Sequence, residues 1–347
     1  MIKKVKLVAL SLCVLPLIAG CTTPANNAPS SAPASSAAPS APASSAPANG
    51  KIAIADQLYI EVSALGSLDY FYDHKLGMKT VGEQLGVKTE YVGPTDLNMT
   101  DMIAAFDQAI VKKPQGIVVV GFDEALNPEV KKAMDAGIPV VTVDADLPNS
   151  TRIAFVGTGN VNAGIAGGKA IAAAIGNKGK VAIMTHVGQS NLEERVAGYK
   201  QAFAQFPDIE LVQVVETQSD PTVAASAAAS LLQKYPDLAA IACVEAAGGA
   251  GATTAVKEAN MQGKVKIIAM DRDATVLDAI EQGIVTATVV QQTALMPYYA
   301  TMILYNLYNG NLQISSDNKA AGVPGVPIVI DTGVIIVDKN NAQYFKR

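Results

Sequence analysis

A chain of 347 residues with a formal net charge of −5 carries no basic excess, which argues against nucleic acid and against adhesion to anionic lipid. Its three cysteines cannot supply a disulfide framework, and its two histidines, far apart in sequence, lack metal-ligand spacing. Half of the residues are hydrophobic, so an apolar core has to hold the fold unaided.

The N-terminus reads as a secretion signal. Lys3, Lys4 and Lys6 precede an apolar run over 7–19, shorter than the ~20 residues a membrane-spanning helix needs. The run ends on Ile18-Ala19-Gly20-Cys21, which resembles the lipobox of bacterial lipoproteins. That resemblance implies cleavage after residue 20 and a diacylglyceryl group on Cys21, so that acyl chains anchor the protein to a membrane. Residues 22–50 are nearly all Ala, Pro, Ser, Thr and Asn and cannot build a core; they read as a disordered spacer. Removing the leader deletes three lysines and no acid, so the mature chain is more acidic still.

From Lys51 onward, short β-branched runs alternate with amphipathic stretches, the pattern of βαβ units around parallel sheets. Strands are predicted at 52–55, 116–121, 139–143, 154–157, 180–185, 210–216, 239–244, 265–270, 286–290 and 334–337. Most are continuously apolar, as strands buried on both faces are. A helix over 69–85 places Phe71, Met78, Val81 and Leu85 on one face. Asn127-Pro128-Glu129 predicts a capped helix start that Gly137 closes, Asp220-Pro221 repeats the device, and Ser190-Asn191-Leu192-Glu193 predicts a capping box. The remaining segment, roughly 300 residues, favours two lobes over one, because single cores stop growing near that size. Cys243, inside an apolar run, reads as a buried small residue.

In open α/β sheets ligands sit outside the carboxyl ends of the strands, so polar residues that terminate apolar runs are the site candidates. Asp123, Asp144, Glu245, Asp271 and Gln291 each do so. Carboxylates accept two hydroxyl hydrogens and an arginine fork donates to oxygens, a set suited to a polyol. Arg195 is the natural donor, with Arg272 second, and Tyr59, Tyr70, Phe71, Tyr72 and Phe122 are candidate apolar faces. Catalytic signatures are poor: there is no Gly-x-Ser-x-Gly elbow, and the stretch Gly164-Ile165-Ala166-Gly167-Gly168-Lys169 lacks the leading glycine and following hydroxyl of a phosphate loop. Its small residues are expected to admit close helix-to-sheet packing.

Four stretches then carry a family likeness: PQGIVVVGFDEALNPEVKKAMDAGIPVVTVDADLP at 114–148, FVGTGNVNAGIAGGKAIAAAI at 155–175, GKVAIMTHVGQSNLEERVAGYKQAF at 179–203 and VKIIAMDRDATVLDAIEQGIVTATVVQQ at 265–292. In order and spacing the chain resembles the type I periplasmic binding proteins of the ribose and galactose group. The resemblance implies two doubly wound parallel-sheet lobes joined by a three-segment hinge, lobe 1 being 51–157 plus 291–325 and lobe 2 being 158–290 plus 326–347, with a sugar held between them. It assigns ligand binding to Asp144, Arg195, Asp271 and Gln291, and stacking to Tyr70 and Phe71. Glu245 falls where ribose binders have an Asn, Ala145 stands in place of an Arg, and Ser67-Leu68-Asp69 replaces an Asn-Asn-Pro. The more acidic pocket points away from ribose itself, toward an alditol, another pentose or hexose, or a furanosyl signal.

The implied protein is a monomeric receptor without cofactor, metal or chemistry of its own, which docks on the membrane permease of an ABC importer. Its rivals are a sensory receptor of the same fold, an exported α/β enzyme using His74 or His186, and a sugar-responsive repressor, the last disfavoured because the spacer occupies the place of a DNA-binding headpiece.

Overall fold

The computed structural model describes residues 51–346 apart from 64, 68, 311 and 312; the expected leader, Cys21 and the spacer lie outside the described residues. Within them the chain builds two parallel sheets in turn. The first takes β1 (Leu58–Val62), β2 (Lys88–Val92), β3 (Gly116–Val120), β4 (Val140–Val143) and β5 (Ala154–Gly157), with α1 (Tyr72–Leu85), α2 (Met99–Val111) and α3 (Asn127–Asp135) as crossovers. The chain then passes to the second sheet: β6 (Gly179–Thr185), β7 (Ile209–Glu216), β8 (Leu238–Cys243), β9 (Lys266–Met270) and β10 (Ala287–Gln291). Here the helices are α4 (Asn160–Ala174), α5 (Ser190–Phe203), α6 (Pro221–Lys234), α7 (Ala246–Glu258) and α8 (Ala274–Glu281). After β10 the chain returns: Met296, Ala300, Ile303 and Leu304 of α9 (Leu295–Asn309) join the first lobe's core.

The end of the chain then visits both lobes. β11 (Val329–Asp331) pairs parallel with β5, and β12 (Val334–Asp338) pairs antiparallel with β10. The strand orders are β11-β5-β4-β3-β1-β2 and β12-β10-β9-β8-β6-β7, so the two lobes repeat one doubly wound topology. Three crossings join them, after β5, after β10 and between β11 and β12. The last lies some residues beyond the expected 325/326, because β11 still belongs to the first sheet.

The predicted strands from 116–121 onward fall within one residue of the observed ones, since strands such as β3 are buried along their whole length and read as unbroken apolar runs. The run at 52–55 is different. Residues Ile54–Asp56 form a 3-10 turn, and the strand is β1, three residues on, whose apolar run is interrupted by Glu61. The half-exposed edge strand β2 and the three-residue β11 carry no such run and were not predicted.

Two expected caps are corrected. Asn127 is the first residue of α3, and Asp123 instead caps the short 3-10 turn before it, accepting a bond from the Ala125 N–H at 2.8 Å. The capping box at 190–193 is not made: Gln189 occupies the cap position of α5 without a side-chain bond. Asp220 caps α6 as expected, taking the Thr222 and Val223 N–H groups. The glycines of α4 serve a helix neighbour rather than a sheet. A Cβ on Gly164 would come within 2.0 Å of the Arg195 carbonyl oxygen, and one on Gly167 within 2.0 Å of the Tyr199 hydroxyl, so bare backbone is what seats α4 against α5.

Candidate functional site

The ends of β4 and β9 occupy equivalent places in the two sheets, and each is followed directly by an aspartate in the left-handed region: Asp144 at φ 64° and Asp271 at φ 65°. Non-glycine residues hold that conformation at a cost of roughly 1 kcal/mol or more, and such strain concentrates at functional sites. The backbone N–H of Asp144 bonds Val156 O and that of Asp271 bonds Val289 O, so each strand's neighbour fixes the turn that aims the carboxylate. Both aspartates line one cavity of about 750 Å³ that residues of both lobes enclose.

On the first lobe, the Tyr70 hydroxyl donates to Asp144 Oδ1 at 2.6 Å. Burial, then the charges of Asp144 and Asp271, push that phenol well above its ordinary range, so it stays a donor. The Tyr70 and Phe71 rings meet edge to face at 5.1 Å, and Phe71 meets Phe122 at 6.2 Å. All three rings line the cavity, Phe71 with only 1% of its surface exposed, so it serves the core as much as the cleft.

On the second lobe Arg195, also buried, is held by three acceptors: Nε donates to Asn160 Oδ1 at 3.0 Å, Nη1 to Val244 O at 2.9 Å and Nη2 to Gln291 Oε1 at 3.0 Å. Gln291 lies at the end of β10, where the second crossing begins. Its Oε1 also accepts from Thr158 Oγ1 at 2.8 Å in the first crossing, and its Nε2 donates to Asp271 Oδ1 at 3.0 Å. One amide therefore ties two crossings, the arginine and the aspartate together. Burial raises the Asp271 carboxyl to about 6, against the opposing pull of Arg195 and the Gln291 amide.

Glu245 lines the cavity, but its carboxylate is engaged by the protein: it caps α7 through the Ala247 and Gly248 N–H groups and accepts from Thr217 Oγ1 at 2.9 Å. Four other candidates are placed or engaged differently from Asp144 and Asp271. Asp123 is exposed, spends its carboxylate as a cap and does not line the cavity. Tyr59 is core, its hydroxyl bonded to Gln57, and Tyr72 faces solvent. Arg272 lines the cavity but spends its guanidinium on Asp73 of α1. Cys243 is fully buried. His186 is half-buried and bonds Ser219 Oγ, while His74 is buried against Glu61.

Asp73, Asn160 and Thr158 were missed. Thr158 follows β5 and would have been found had the strand-end rule been applied to that strand too. Asn160 and Asp73 lie inside helices, where sequence gives no sign of which polar face meets the cleft. Together the cavity offers carboxylate acceptors, an arginine fork and a phenol as donors, and aromatic surface. These suit a compact hydroxylated guest without charge. Among the described residues no cluster of His, Cys, Asp and Glu could hold a metal ion.

Comparison with known proteins agrees with this geometry. The model of the periplasmic binding protein domain matches residues 62–312. The D-allose-binding periplasmic protein of Escherichia coli K12 is 29% identical over 253 residues, 70% of this chain and 81% of that one. An arabinose binding protein from Geobacillus stearothermophilus superposes with a TM-score of 0.79 at 31% identity, covering 84% of this chain and all of its own. A sugar-binding protein of a sugar ABC transporter from Bacillus halodurans gives 0.80 at 33%, with the same coverage.

Proposed function

Because the chain belongs to the periplasmic binding protein family, we propose that it is the extracytoplasmic receptor of an ABC importer and captures a small sugar or polyol between its lobes. The observation that carries this reading is the pair of strained aspartates, Asp144 and Asp271, at equivalent strand tips of the two lobes and on one cavity with Arg195. A guest that accepts from Arg195 and donates to both carboxylates touches both lobes at once. It stabilises the closed arrangement by its differential affinity for it. The relatives named for allose and arabinose, and the neighbour from a sugar transporter, support a carbohydrate as the guest.

The ligand contacts are assigned to Asp144, Arg195, Asp271 and Gln291, with Tyr70 and Phe71 as apolar partners and Glu245 shaping the wall. The lobes turn about the three crossings as separate bodies. Lipidation at Cys21 tethers the receptor to the membrane, and the closed monomer docks on the permease. The receptor catalyses nothing; the guest is released unchanged.

A thermal-shift screen over pentoses, hexoses, alditols and nucleosides tests the reading. A cognate sugar at 100 times its dissociation constant adds about 2.7 kcal/mol to stability, a shift of several degrees. Replacing Asp271 by Ala weakens that sugar by about tenfold or more, the loss of one charge-assisted hydrogen bond or more. Stabilisation by none of these compounds, or by nucleosides alone, contradicts the reading.

A further inference from the structure

Asp73 and Arg272 join the two lobes. Asp73 lies in the first turn of α1, and Arg272 follows β9 in the second lobe. The Arg272 Nη2 donates to Asp73 Oδ2, an ion pair with side chains 27% and 14% exposed, at the cavity wall. The same Oδ2 accepts from Thr293 Oγ1 at 3.1 Å, on the stretch that leads from β10 into α9. Both Thr293 and α1 move with the first lobe. A Cβ on Gly77 of α1 would come within 2.2 Å of the Ala294 carbonyl oxygen, so α1 sits in backbone contact with the start of α9, and Tyr298 of α9 bonds Gln84 of α1 at 2.6 Å. Thr293 therefore aims the carboxylate, while Arg272 arrives from the opposite lobe.

We propose that Asp73 and Arg272 form a clasp beside the second crossing that limits how far the cleft opens, whether or not a guest is bound. Opening about the crossings moves Arg272 away from a carboxylate fixed to the first lobe, and the pair resists that separation. A partly exposed pair of this kind is screened by salt, so the clasp weakens as ionic strength rises. An uncharged guest presents no charge of its own to screen. Salt dependence of its binding then reports on the clasp, and its affinity falls by about twofold to fivefold when the pair is lost.

The clasp rests on the proposed closure of the cleft, not on which sugar fills it, so the deciding experiment omits ligand. Small-angle X-ray scattering of the full chain is compared for wild type, Arg272→Met, Asp73→Ala and the charge-exchanged double variant R272D/D73R, in 20 mM and 1 M NaCl. The clasp predicts a larger radius of gyration for either single variant at low salt, the same increase for wild type at high salt, and recovery in the exchanged pair, with each variant still unfolding in one cooperative transition on heating. Equal radii across all four chains at both salts overturn it. Failure of every sugar in the thermal-shift screen would instead count against the sugar-receptor reading and leave the scattering result standing.

Discussion

A carboxyl group largely withdrawn from water at the wall of a cleft, with one amide donating to it and an arginine nearby, has its pKa raised to about 6, and Asp271 is such a group. Because its folded value lies above the unfolded one, the folded chain binds more protons than the unfolded chain between about pH 4 and 6. Asp271 therefore contributes a loss of stability as pH rises through that window, on the order of 3 kcal/mol by pH 7. Asp271→Asn is expected to melt higher than wild type at pH 7 while binding its sugar more weakly, an exchange of stability against function. A guest hydroxyl that donates to the ionised form pulls the value back down. Affinity then rises between pH 5 and 7 with release of protons, which calorimetry in two buffers of different ionisation enthalpy measures. Arg195 behaves differently. With three protein acceptors it is part of the scaffold, so Arg195→Ala costs stability as well as affinity. The strand-tip rule found Asp144, Asp271 and Gln291 in sequence because an apolar run ends on each of them. It also gave Asp123, which lies off the cavity, because an aspartate that caps a turn and one that lines a cleft look alike until the backbone says where each points.

Elements show the same division between what pattern reveals and what only packing decides. β1 was placed ahead of its true position, at 52–55 instead of Leu58–Val62, because Glu61 breaks its apolar run, yet that glutamate is wholly buried, its Oε1 2.6 Å from the equally buried His74 Nδ1 on α1. Burial alone would lower the imidazole, but the charge of Glu61 and its hydrogen bond outweigh burial and raise it. A histidine raised in the folded state lends stability that is full below its unfolded value near 6.5 and is lost as pH climbs through the folded value. Glu61→Gln removes the counter-charge, and unfolding by denaturant at pH 6 is expected to show a loss of about 3 kcal/mol, with the alkaline decline abolished. The contact of α4 with α5 makes a second case. A Cβ on Gly198 would come within 2.1 Å of the Val161 carbonyl oxygen, so Gly198→Ala forces the helices apart and displaces Arg195, three residues away on α5. Its signature is weakened sugar affinity together with a lowered melting temperature. Composition could announce that these glycines admit a close neighbour, but not that the neighbour is a helix.

At the scale of the whole molecule, the sequence made the doubly wound pattern legible because each buried parallel strand is a run of apolar residues set off by helix caps. What it left unread is the closing segment, where β11 has only three residues and pairs with the first sheet before β12 joins the second. Short, half-exposed strands owe their place to the edges they find, not to their own residues. Yet these late crossings matter, since the Gly159 N–H and the Asn162 side chain, at the start of α4, both donate to Asp331 at the end of β11. The three passages between lobes are thus cross-braced by polar contacts. The most direct test of the account is a crystal structure of the protein with the sugar that gives the largest thermal shift. The account predicts its hydroxyl groups within hydrogen-bonding distance of Asp144 on one lobe and of Asp271 and Arg195 on the other. A sugar bound to one lobe alone, or outside this cleft, would contradict it.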